Sequence, residues 1–425
     1  MNGEVGWPGR PAWVEVDLDA IAENTRQVAT WVGPTTAVMA VVKADGYGLG
    51  AVPVAAAALA GGATWLAVAA VDEGVLLRAA GLRGPILVLG PATAPELPRA
   101  VQARLTLTLS NLTGAQALTA VAGAAGLQAP VHLKVDTGLH RFGRTPDEVQ
   151  TLADAIAALP GLFLEGLYTH FANAEDAQDS YGSTQLERLL QTRARLADRR
   201  IHFPVVHAAS SAATLALPAS HLDMVRIGIV LSGHYPAPDL GSPVRLQPAV
   251  TVRGRIARLF PLAAGATVGY GRTYRAPSAR TIALLPIGYA DGYHRALSNQ
   301  AVVLVDGCSA PVVGRVSMDQ ITVDVTGCSG AQEGTLVTIA GGQSASPVSF
   351  DSLAALAGTI SYELLTHLGK RLPRLYLRGG AVVAHHSLLE TMGIALLVTA
   401  PVASAARPPR PPTQAWLDTL PIPGG

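Results

Sequence analysis

A lysine follows directly after an apolar run near the start of the chain, and a glycine-rich segment comes next. The run ends at Val42, Lys43 follows, and Gly46, Gly48 and Gly50 come after it. Burial among apolar neighbours disfavours the charged form of a lysine, so its pKa falls and the free amine can form a Schiff base. The alternative is an ordinary solvated lysine at a strand end, the more common case for a single lysine. The segment lacks the Gly-Lys-Ser/Thr ending of a P-loop.

The first part of the chain alternates short β-branched runs with helical patterns, which predicts parallel strands joined by crossover helices. Helices are indicated by apolar spacing from Leu18 to Val32 and by a capping pattern that begins at Thr145 and Pro146. About eight strand-helix units favour an α/β fold with an N-terminal (β/α)8 TIM-like barrel over residues 12–240. Barrel enzymes bind their substrates at the carboxyl ends of the strands, where Lys43 stands. The candidate strands are Ala37–Val42, Thr64–Val68, Ile86–Leu89, Leu105–Leu109, Val131–Val135, Phe163–Tyr168, Pro204–Ala208 and Asp223–Arg226.

A proline-rich connection at residues 235–238 precedes segments with period-2 alternation, which predict a mostly β C-terminal domain over residues 245–385. One short helix is expected over Ser352–Ala357, with Asp351 as its N-cap and Gly358 after its end. The proline-rich tail, residues 400–425, is expected to be extended or disordered, and we assign it no function. The clearest strands of this domain are Ala301–Val305, Gln320–Val325 and Thr335–Ile339, with a turn at Asp306-Gly307.

Composition excludes several classes of function. Among the 425 residues, Lys and Arg number 31 against 30 Asp and Glu, so there is no basic field for a nucleic acid or an anionic membrane surface. No apolar run approaches the length of a membrane span, and the N-terminus lacks the pattern of a signal peptide, so a cytoplasmic location is expected. Cys308 and Cys328 lack a spacing typical of metal ligands, so we expect no metal and interpret both as buried apolar residues.

Several motifs, in order along both domains from about Trp13 to about Tyr376, resemble those of alanine racemases, a pyridoxal-phosphate family of fold type III. The first of these motifs is the Lys43 segment described above. Any one of them would be weak evidence, but their ordered set is specific. The motifs are AVVKADGYGLG at 40–50, KVDTGLHRFG at 134–143, YTHF at 168–171, VRIGI at 225–229, VGYGRTY at 268–274, GYADGY at 288–293, GRVSMD at 314–319 and ISYE at 360–363.

The resemblance implies interconversion of L- and D-alanine, which supplies D-alanine for bacterial cell-wall peptidoglycan. Racemisation removes a proton from one face of Cα and returns one to the other, so it needs two opposed acid/base groups. The resemblance assigns these roles to Lys43 and Tyr270. A tyrosine has a pKa of about 10 in water and needs nearby positive charge or donors, which His170 and Arg226 would supply. A packed ring in a glycine-flanked turn is the alternative for Tyr270.

Further roles follow from the same resemblance. Arg226 would face the pyridine nitrogen of the cofactor and, because arginine only donates, would leave that nitrogen unprotonated. Arg141 would face the substrate carboxylate, and Lys134 stands at a position that is often carbamylated in the family. The residues implied for the cofactor are Lys43, Tyr47, His170, Ser211, Arg226, Gly228, Ile229 and Tyr362, and those for the substrate pocket are Arg141, Met318, Asp319 and Tyr289.

In the family the tyrosine reaches the cofactor of a neighbouring subunit, so the resemblance implies a homodimer with shared active sites and a small amino acid as substrate. Three alternatives stay open at this stage. They are a broader-specificity or serine racemase, a fold-type III amino-acid decarboxylase, and a cofactor carrier or regulatory binding protein without turnover.

Overall fold

The computed structural model describes residues 9–176, 178–237, 240, 243–342 and 346–391. The chain forms two compact units, one made of Ile21–Leu246 and the other of the residues up to Ala20 together with those from Gln247 onward. The expected proline-rich tail at 400–425 lies outside the described residues.

Eleven α-helices and one left-handed turn, labelled α2, are formed by the described residues. They are α1 (Leu18–Val32), α2 (Lys43–Tyr47), α3 (Ala51–Ala60), α4 (Val71–Ala79), α5 (Leu97–Gln102), α6 (Leu112–Ala125), α7 (Pro146–Ala157), α8 (Tyr181–Asp198), α9 (Ser211–Ala216), α10 (Phe350–Ala357), α11 (Ser361–Thr366) and α12 (Leu388–Thr391).

Twenty strands are formed by the described residues. In the first half they are β1 (Ala12–Asp17), β2 (Ala37–Val41), β3 (Trp65–Val68), β4 (Ile86–Val88), β5 (Thr106–Leu109), β6 (Ala129–Lys134), β7 (Leu162–Tyr168), β8 (Val205–His207) and β9 (Met224–Ile227). In the second half they are β10 (Val250–Arg255), β11 (Arg258–Leu262), β12 (Thr267–Val268), β13 (Tyr274–Arg275), β14 (Arg280–Leu285), β15 (Val302–Val305), β16 (Cys308–Pro311), β17 (Ile321–Asp324), β18 (Leu336–Gly341), β19 (Arg374–Arg378) and β20 (Ala381–His386).

Strands β2 to β9 pair in sequence and close into a parallel barrel, which confirms the predicted fold class. The eight candidate strands of the sequence analysis all appear, with ends that differ by at most two residues. Side chains of Met39, Val41, Ala67, Leu87 and Met224 form one buried apolar cluster. Alternate residues of a strand point to the same face. At the carboxyl ends of the strands, a residue two positions after a cluster member therefore points to the same side as that member.

The other unit is mostly β, as predicted, and its largest sheet has the strand order β16-β15-β18-β10-β1-β19-β20. A second sheet joins β11, β14 and β17, and a two-stranded ribbon joins β12 and β13. The first strand, Ala12–Asp17, pairs antiparallel with β10 and parallel with β19. The N-terminal segment was expected in the barrel, but its backbone completes this sheet instead.

Two local expectations differ from the structure. Helix α10 begins at Phe350 with Ser349 as its N-cap, because the Ser349 side chain accepts a hydrogen bond from the Ser352 amide. The expected cap, Asp351, therefore lies in the first turn, while Gly358 ends the helix with a φ of 71° as predicted. Cys308 and Cys328 were expected to be separate apolar residues, but they form a disulfide, because the hairpin of β15 and β16 brings Cys308 beside the segment after β17.

Among the described residues, no helix combines the length and the apolar character needed to cross a bilayer.

Candidate active site

The segment after β2 forms a single left-handed turn. Ala44, Asp45 and Tyr47 have φ values of 53°, 55° and 58°, and Gly46 between them has a φ of 63°. Left-handed backbone costs an L-residue other than glycine roughly 1–2 kcal/mol, so the surrounding structure must hold this turn in place. The turn redirects the chain directly after Lys43, which leaves the Lys43 side chain at the carboxyl end of the barrel strands.

The environment of Lys43 favours the neutral amine. Burial lowers the pKa of Lys43, and the nearby cations Arg141 and Arg226 lower it further, whereas Glu73 acts in the opposite direction. A neutral amine can attack a carbonyl or accept a proton, which an ammonium group cannot do. The sequence-based hypothesis of a desolvated lysine is therefore consistent with its surroundings.

Arg226, on β9, is almost completely buried, with 4% of its surface exposed. One guanidinium nitrogen lies 2.8 Å from Nδ1 of His207, and the other donates to the carbonyl oxygens of Thr169 and Ala208 at 2.9 Å. The same nitrogen lies 3.1 Å from Nδ1 of His170. Burial lowers the pKa of Arg226 to about 10, so the group is a cation at neutral pH and its orientation is fixed by four contacts.

These contacts determine where the protons of two buried histidines lie. Arginine only donates, so Nδ1 of His207 accepts and its proton is on Nε2. That Nε2 lies 2.9 Å from Nδ1 of His132, which must then carry its own proton on Nε2, 3.4 Å from a carboxylate oxygen of Glu165. Burial lowers the pKa of both histidines, so both are neutral. A row of polar groups, buried except for Glu165, thus leads from Arg226 on β9 to Glu165 on β7.

Sequence reasoning missed this row. The period-2 spacing of His132 and Lys134 on β6 could have suggested that both face the barrel interior. The long-range contacts of His132 with His207 and Glu165 leave no local signal in the sequence.

Lys134 is buried at the end of β6, with 7% of its surface exposed. Its Nζ lies 5.2 Å from the centre of the Phe142 ring and 5.6 Å from that of Tyr168. Burial, together with the charges of Arg226 and Arg141, lowers the pKa of Lys134 to about 8. This is a lysine with a substantial neutral fraction close to physiological pH.

Tyr168 connects Lys134 to the buried row. Its ring stacks on that of His207 with 4.7 Å between centres, and its hydroxyl lies 3.0 Å from Oγ1 of Thr108. Burial raises the pKa of Tyr168 to about 12, so the hydroxyl keeps its proton. His170, two residues further on, has a pKa held well below its usual value by burial and by the Arg226 charge.

A small cup of polar groups is formed where β9 ends. The amide of Gly228 donates to Oγ of Ser211 at 3.0 Å. A Cβ atom on Gly228 would lie only 2.2 Å from the Tyr47 hydroxyl, so a larger residue there would have to displace the Tyr47 ring. Burial raises the pKa of Tyr47 to about 12, so its hydroxyl keeps its proton. Ile229, buried, begins the 3₁₀ turn that follows.

The barrel unit therefore carries nine of the predicted site residues at the carboxyl ends of its strands or in the segments that follow. Arg141 is the most exposed of them, although its charge acts on Lys43, Lys134 and His170. The nine residues are Lys43, Tyr47, Lys134, Arg141, His170, Ser211, Arg226, Gly228 and Ile229.

Tyr270 belongs to the mostly β unit and is 70% exposed. It lies in a short 3₁₀ turn between Gly269 and Gly271, which have φ values of 77° and 69°. A Cβ atom on either glycine would lie 3.2 Å from an atom of Arg315, so the turn packs closely against that residue. The alternative, a packed tyrosine ring, does not fit the structure, because most of the Tyr270 surface is exposed.

Three further predicted residues lie near one another in this unit. Tyr289 and Met318 are 43% and 52% exposed, and Asp319 accepts from Arg371 at 2.8 Å. Arg371 also binds the buried Asp291 at 2.6 Å, which ties the Met318-Asp319 segment to the turn that contains Tyr289.

Arg10 also binds Asp291, at 2.6 Å, so two arginines hold one carboxylate. The clamp formed by Arg10, Asp291 and Arg371 was not predicted, since its members are far apart in the sequence.

Tyr362 is the second residue of α11 and is half-buried.

Comparisons with known proteins agree with the two-part architecture. The model of the alanine racemase N-terminal domain matches residues 16–236, and that of the alanine racemase C-terminal domain matches residues 249–376. The alanine racemase of Desulforamulus reducens is 44% identical over 370 residues, which cover 86% of this chain and 99% of the relative. That of Desulfovibrio desulfuricans is 42% identical over 367 residues, covering 86% of this chain and 98% of the relative.

A solved structure of alanine racemase from Bacillus anthracis with bound L-Ala-P aligns with a TM-score of 0.85 and 36% identity. The alignment covers 90% of this chain and 99% of that one. With both family models matched in order and close relatives matched over nearly their whole length, this chain belongs to the alanine racemase family.

Proposed function

We propose that this chain interconverts L-alanine and D-alanine with pyridoxal 5′-phosphate, by moving protons at Cα with one group on each face of the substrate. The D-alanine formed would supply cell-wall peptidoglycan. Family membership supports the reaction, and the observation that carries the proposal is the environment of Lys43. Its amine is desolvated at the carboxyl end of the barrel, beside Arg141 and Arg226.

The residues at this end of the barrel fit pyridoxal phosphate. The Tyr47 and Ser211 hydroxyls gather around Gly228, where a Cβ atom would fill the cup, and would hold the phosphate together with the amides of Gly228 and Ile229. Tyr362 is proposed as a further phosphate contact. When bound, pyridoxal phosphate supplies an electron sink that stabilises negative charge at Cα.

Arg226 would donate to the pyridine nitrogen. Because it remains a cation with its other contacts occupied by His207, Thr169 and Ala208, it cannot accept a proton from that nitrogen. A pyridine ring without a proton on its nitrogen withdraws electrons less strongly, so return of the proton to Cα is favoured over transamination. The buried row behind Arg226 supports this role, since it holds the guanidinium in one orientation.

The two acid/base groups would be Lys43 and Tyr270. The lowered pKa of Lys43 favours its neutral amine, which would hold the cofactor and, once the substrate amine has replaced it there, would accept the Cα proton of D-alanine. The exposed Tyr270 would accept the proton of L-alanine on the other face. We propose that it comes from a second copy of the chain, so that the active unit is a homodimer, and that His170 supports its ionisation.

The substrate would be held by its carboxylate. The Arg141 guanidinium suits bidentate contact with a carboxylate, and Met318, Asp319 and Tyr289 would restrict the pocket to small side chains. The low pKa of Lys134 supports carbamylation, in which the neutral amine adds to carbon dioxide and releases a proton. The carbamate would place a negative charge near Arg141. Serine is the second substrate to test, because one added hydroxyl changes binding by only about 1–3 kcal/mol.

A chiral assay tests the proposal. The chain, reconstituted with pyridoxal phosphate, should convert L-alanine to a mixture of both enantiomers. Release of carbon dioxide with an amine would identify a decarboxylase instead, and unchanged L-alanine with bound cofactor would identify a carrier. The Lys43→Ala variant should lose the visible absorption band of the reconstituted protein, and a full band would exclude Lys43 from holding the cofactor.

A further inference from the structure

The left-handed turn after Lys43 is held by a residue that has no assigned role. Ala44, Asp45, Gly46 and Tyr47 follow one another with positive φ, and only Gly46 adopts this conformation without strain. Such a run persists only where contacts with the surroundings hold it. The direction of the Lys43 side chain depends on this run, because it begins at the next residue.

Glu73 supplies a contact of this kind. It lies in the first turn of α4, directly after β3, and one of its carboxylate oxygens accepts a hydrogen bond from the Ala44 amide at 2.6 Å. The other oxygen accepts from the amides of Ala69 and Ala70 at 2.7 and 3.1 Å. A single carboxylate thus ties the segment after β2 to the segment after β3.

Other bonds stabilise the turn from within its own stretch of chain. The Gly46 amide donates to the carbonyl of Val42 at 2.9 Å, and the Ala51 amide donates to the Asp45 side chain at 2.9 Å. These bonds join residues of one short segment, 42–51. The bond to Glu73 differs because it fixes the turn to a neighbouring strand-helix unit of the barrel.

We propose that Glu73 is a positioning residue for Lys43, and that its carboxylate holds the left-handed turn so that the amine is directed at the carbonyl group of the cofactor. This inference rests on the proposed role of Lys43. The carboxylate acts through the Ala44 amide and through its charge, which raises the pKa of Lys43 against the effects of burial and of two arginines. Geometry and charge can therefore be separated by substitution.

The experiment compares Glu73→Ala, which removes both the acceptor and the charge, with Glu73→Gln, which keeps an acceptor and removes the charge. Glu96→Gln is the matched control. Glu96 accepts from the amide and hydroxyl of Thr93 in the segment after β4, so it performs a similar capping task away from Lys43.

Amide hydrogen exchange is measured first, on the full chain without cofactor. In Glu73→Ala, exchange of residues 42–50 should become at least about tenfold faster, whereas α6 and β10 should exchange as in the unchanged chain. Glu73→Gln should lie between the two, and Glu96→Gln should leave residues 42–50 unaffected. Unchanged exchange at 42–50 in Glu73→Ala, or an equal increase throughout the barrel, would overturn the proposal.

Titration with pyridoxal phosphate is measured second, from the visible absorption band. Glu73→Ala should weaken attachment on the order of 10- to 100-fold, because a displaced amine loses its alignment with the carbonyl. Glu73→Gln should bind pyridoxal phosphate more tightly than Glu73→Ala does. In Glu73→Gln, binding should also extend to lower pH, because the negative charge that stabilises the Lys43 ammonium is lost. Attachment in Glu73→Ala equal to that of the unchanged chain would contradict the positioning role alone, whereas no band in the unchanged chain would contradict the proposed function.

Discussion

The Tyr47 side chain occupies the space that a side chain on Gly228 would need. A Cβ atom there would lie 2.2 Å from the Tyr47 hydroxyl, a distance that forces one of the two groups to move. Since the amide of Gly228 and the hydroxyls of Tyr47 and Ser211 form the proposed phosphate cup, a displaced Tyr47 would open it.

Gly228→Ala should therefore weaken the affinity for pyridoxal phosphate by at least about tenfold, equivalent to about 1.4 kcal/mol. Equilibrium titration followed by absorbance measures this. Gly123→Ala is the control, because Gly123 lies in α6 with open space around its Cβ position. If the two variants bound the cofactor equally well, Tyr47 and Gly228 would not form the phosphate contact.

For single residues, the sequence predicted which residue types stand at the ends of the barrel strands, and it predicted Lys43 as a desolvated amine. It could not predict how those residues contact one another. His132, Glu165 and His207 lie on three different strands, and their contacts depend on how the barrel closes. A single sequence carries period-2 and period-3.6 patterns, which report on neighbours within an element only.

Among the elements, the barrel strands were the most predictable. They are short, mostly apolar runs that are largely buried, except for the first half of β7, and they are separated by clear helical patterns, as expected for a parallel sheet. Strand β1 was not predicted as part of the β unit, since its partners β10 and β19 lie more than 200 residues away. The cap of α10 was placed two residues too late, since Ser349 and Asp351 are both good cap residues and only the contact with the Ser352 amide distinguishes them.

The disulfide between Cys308 and Cys328 links strand β16 to the segment that follows β17, with 20 residues of separation. Closing a loop of this size restricts the unfolded chain, so the bond should add about 2–4 kcal/mol to the free energy of unfolding. Denaturant unfolding with and without a reductant measures the difference. A double variant, Cys308→Ser with Cys328→Ser, should be insensitive to the reductant, and an oxidised protein with no added stability would contradict the expected contribution.

For the molecule as a whole, two buried histidines and the half-buried His170 make the free energy of unfolding depend on pH. Burial lowers the pKa of His132, His170 and His207 in the folded state. The unfolded chain therefore binds protons, below a pH of about 6.5, that the folded chain does not bind. The free energy of unfolding should be fully present above that pH and should decrease as the pH falls towards 5, by at most about 1.4 kcal/mol per pH unit for each histidine.

Unfolding in urea at a series of pH values measures this slope. His132→Gln should reduce the slope between pH 6.5 and 5, because a neutral amide cannot take up a proton. His202→Asn is the control, since His202 is exposed and is not part of the buried row. Equal slopes for the unchanged chain and His132→Gln would mean that His132 has the same pKa in the folded and the unfolded chain, which would contradict the prediction.

The most direct test of the two-base account follows solvent deuterium at Cα of alanine, starting from each enantiomer. In the unchanged chain, label should enter both the substrate and the product in both directions. In Tyr270→Phe, exchange of the L-alanine proton should fall by about 10²–10⁴-fold, while Lys43 continues to exchange the proton of D-alanine and the visible absorption band is kept. Exchange from L-alanine at the rate of the unchanged chain in Tyr270→Phe would contradict the account, because a group other than Tyr270 would then take the L-alanine proton.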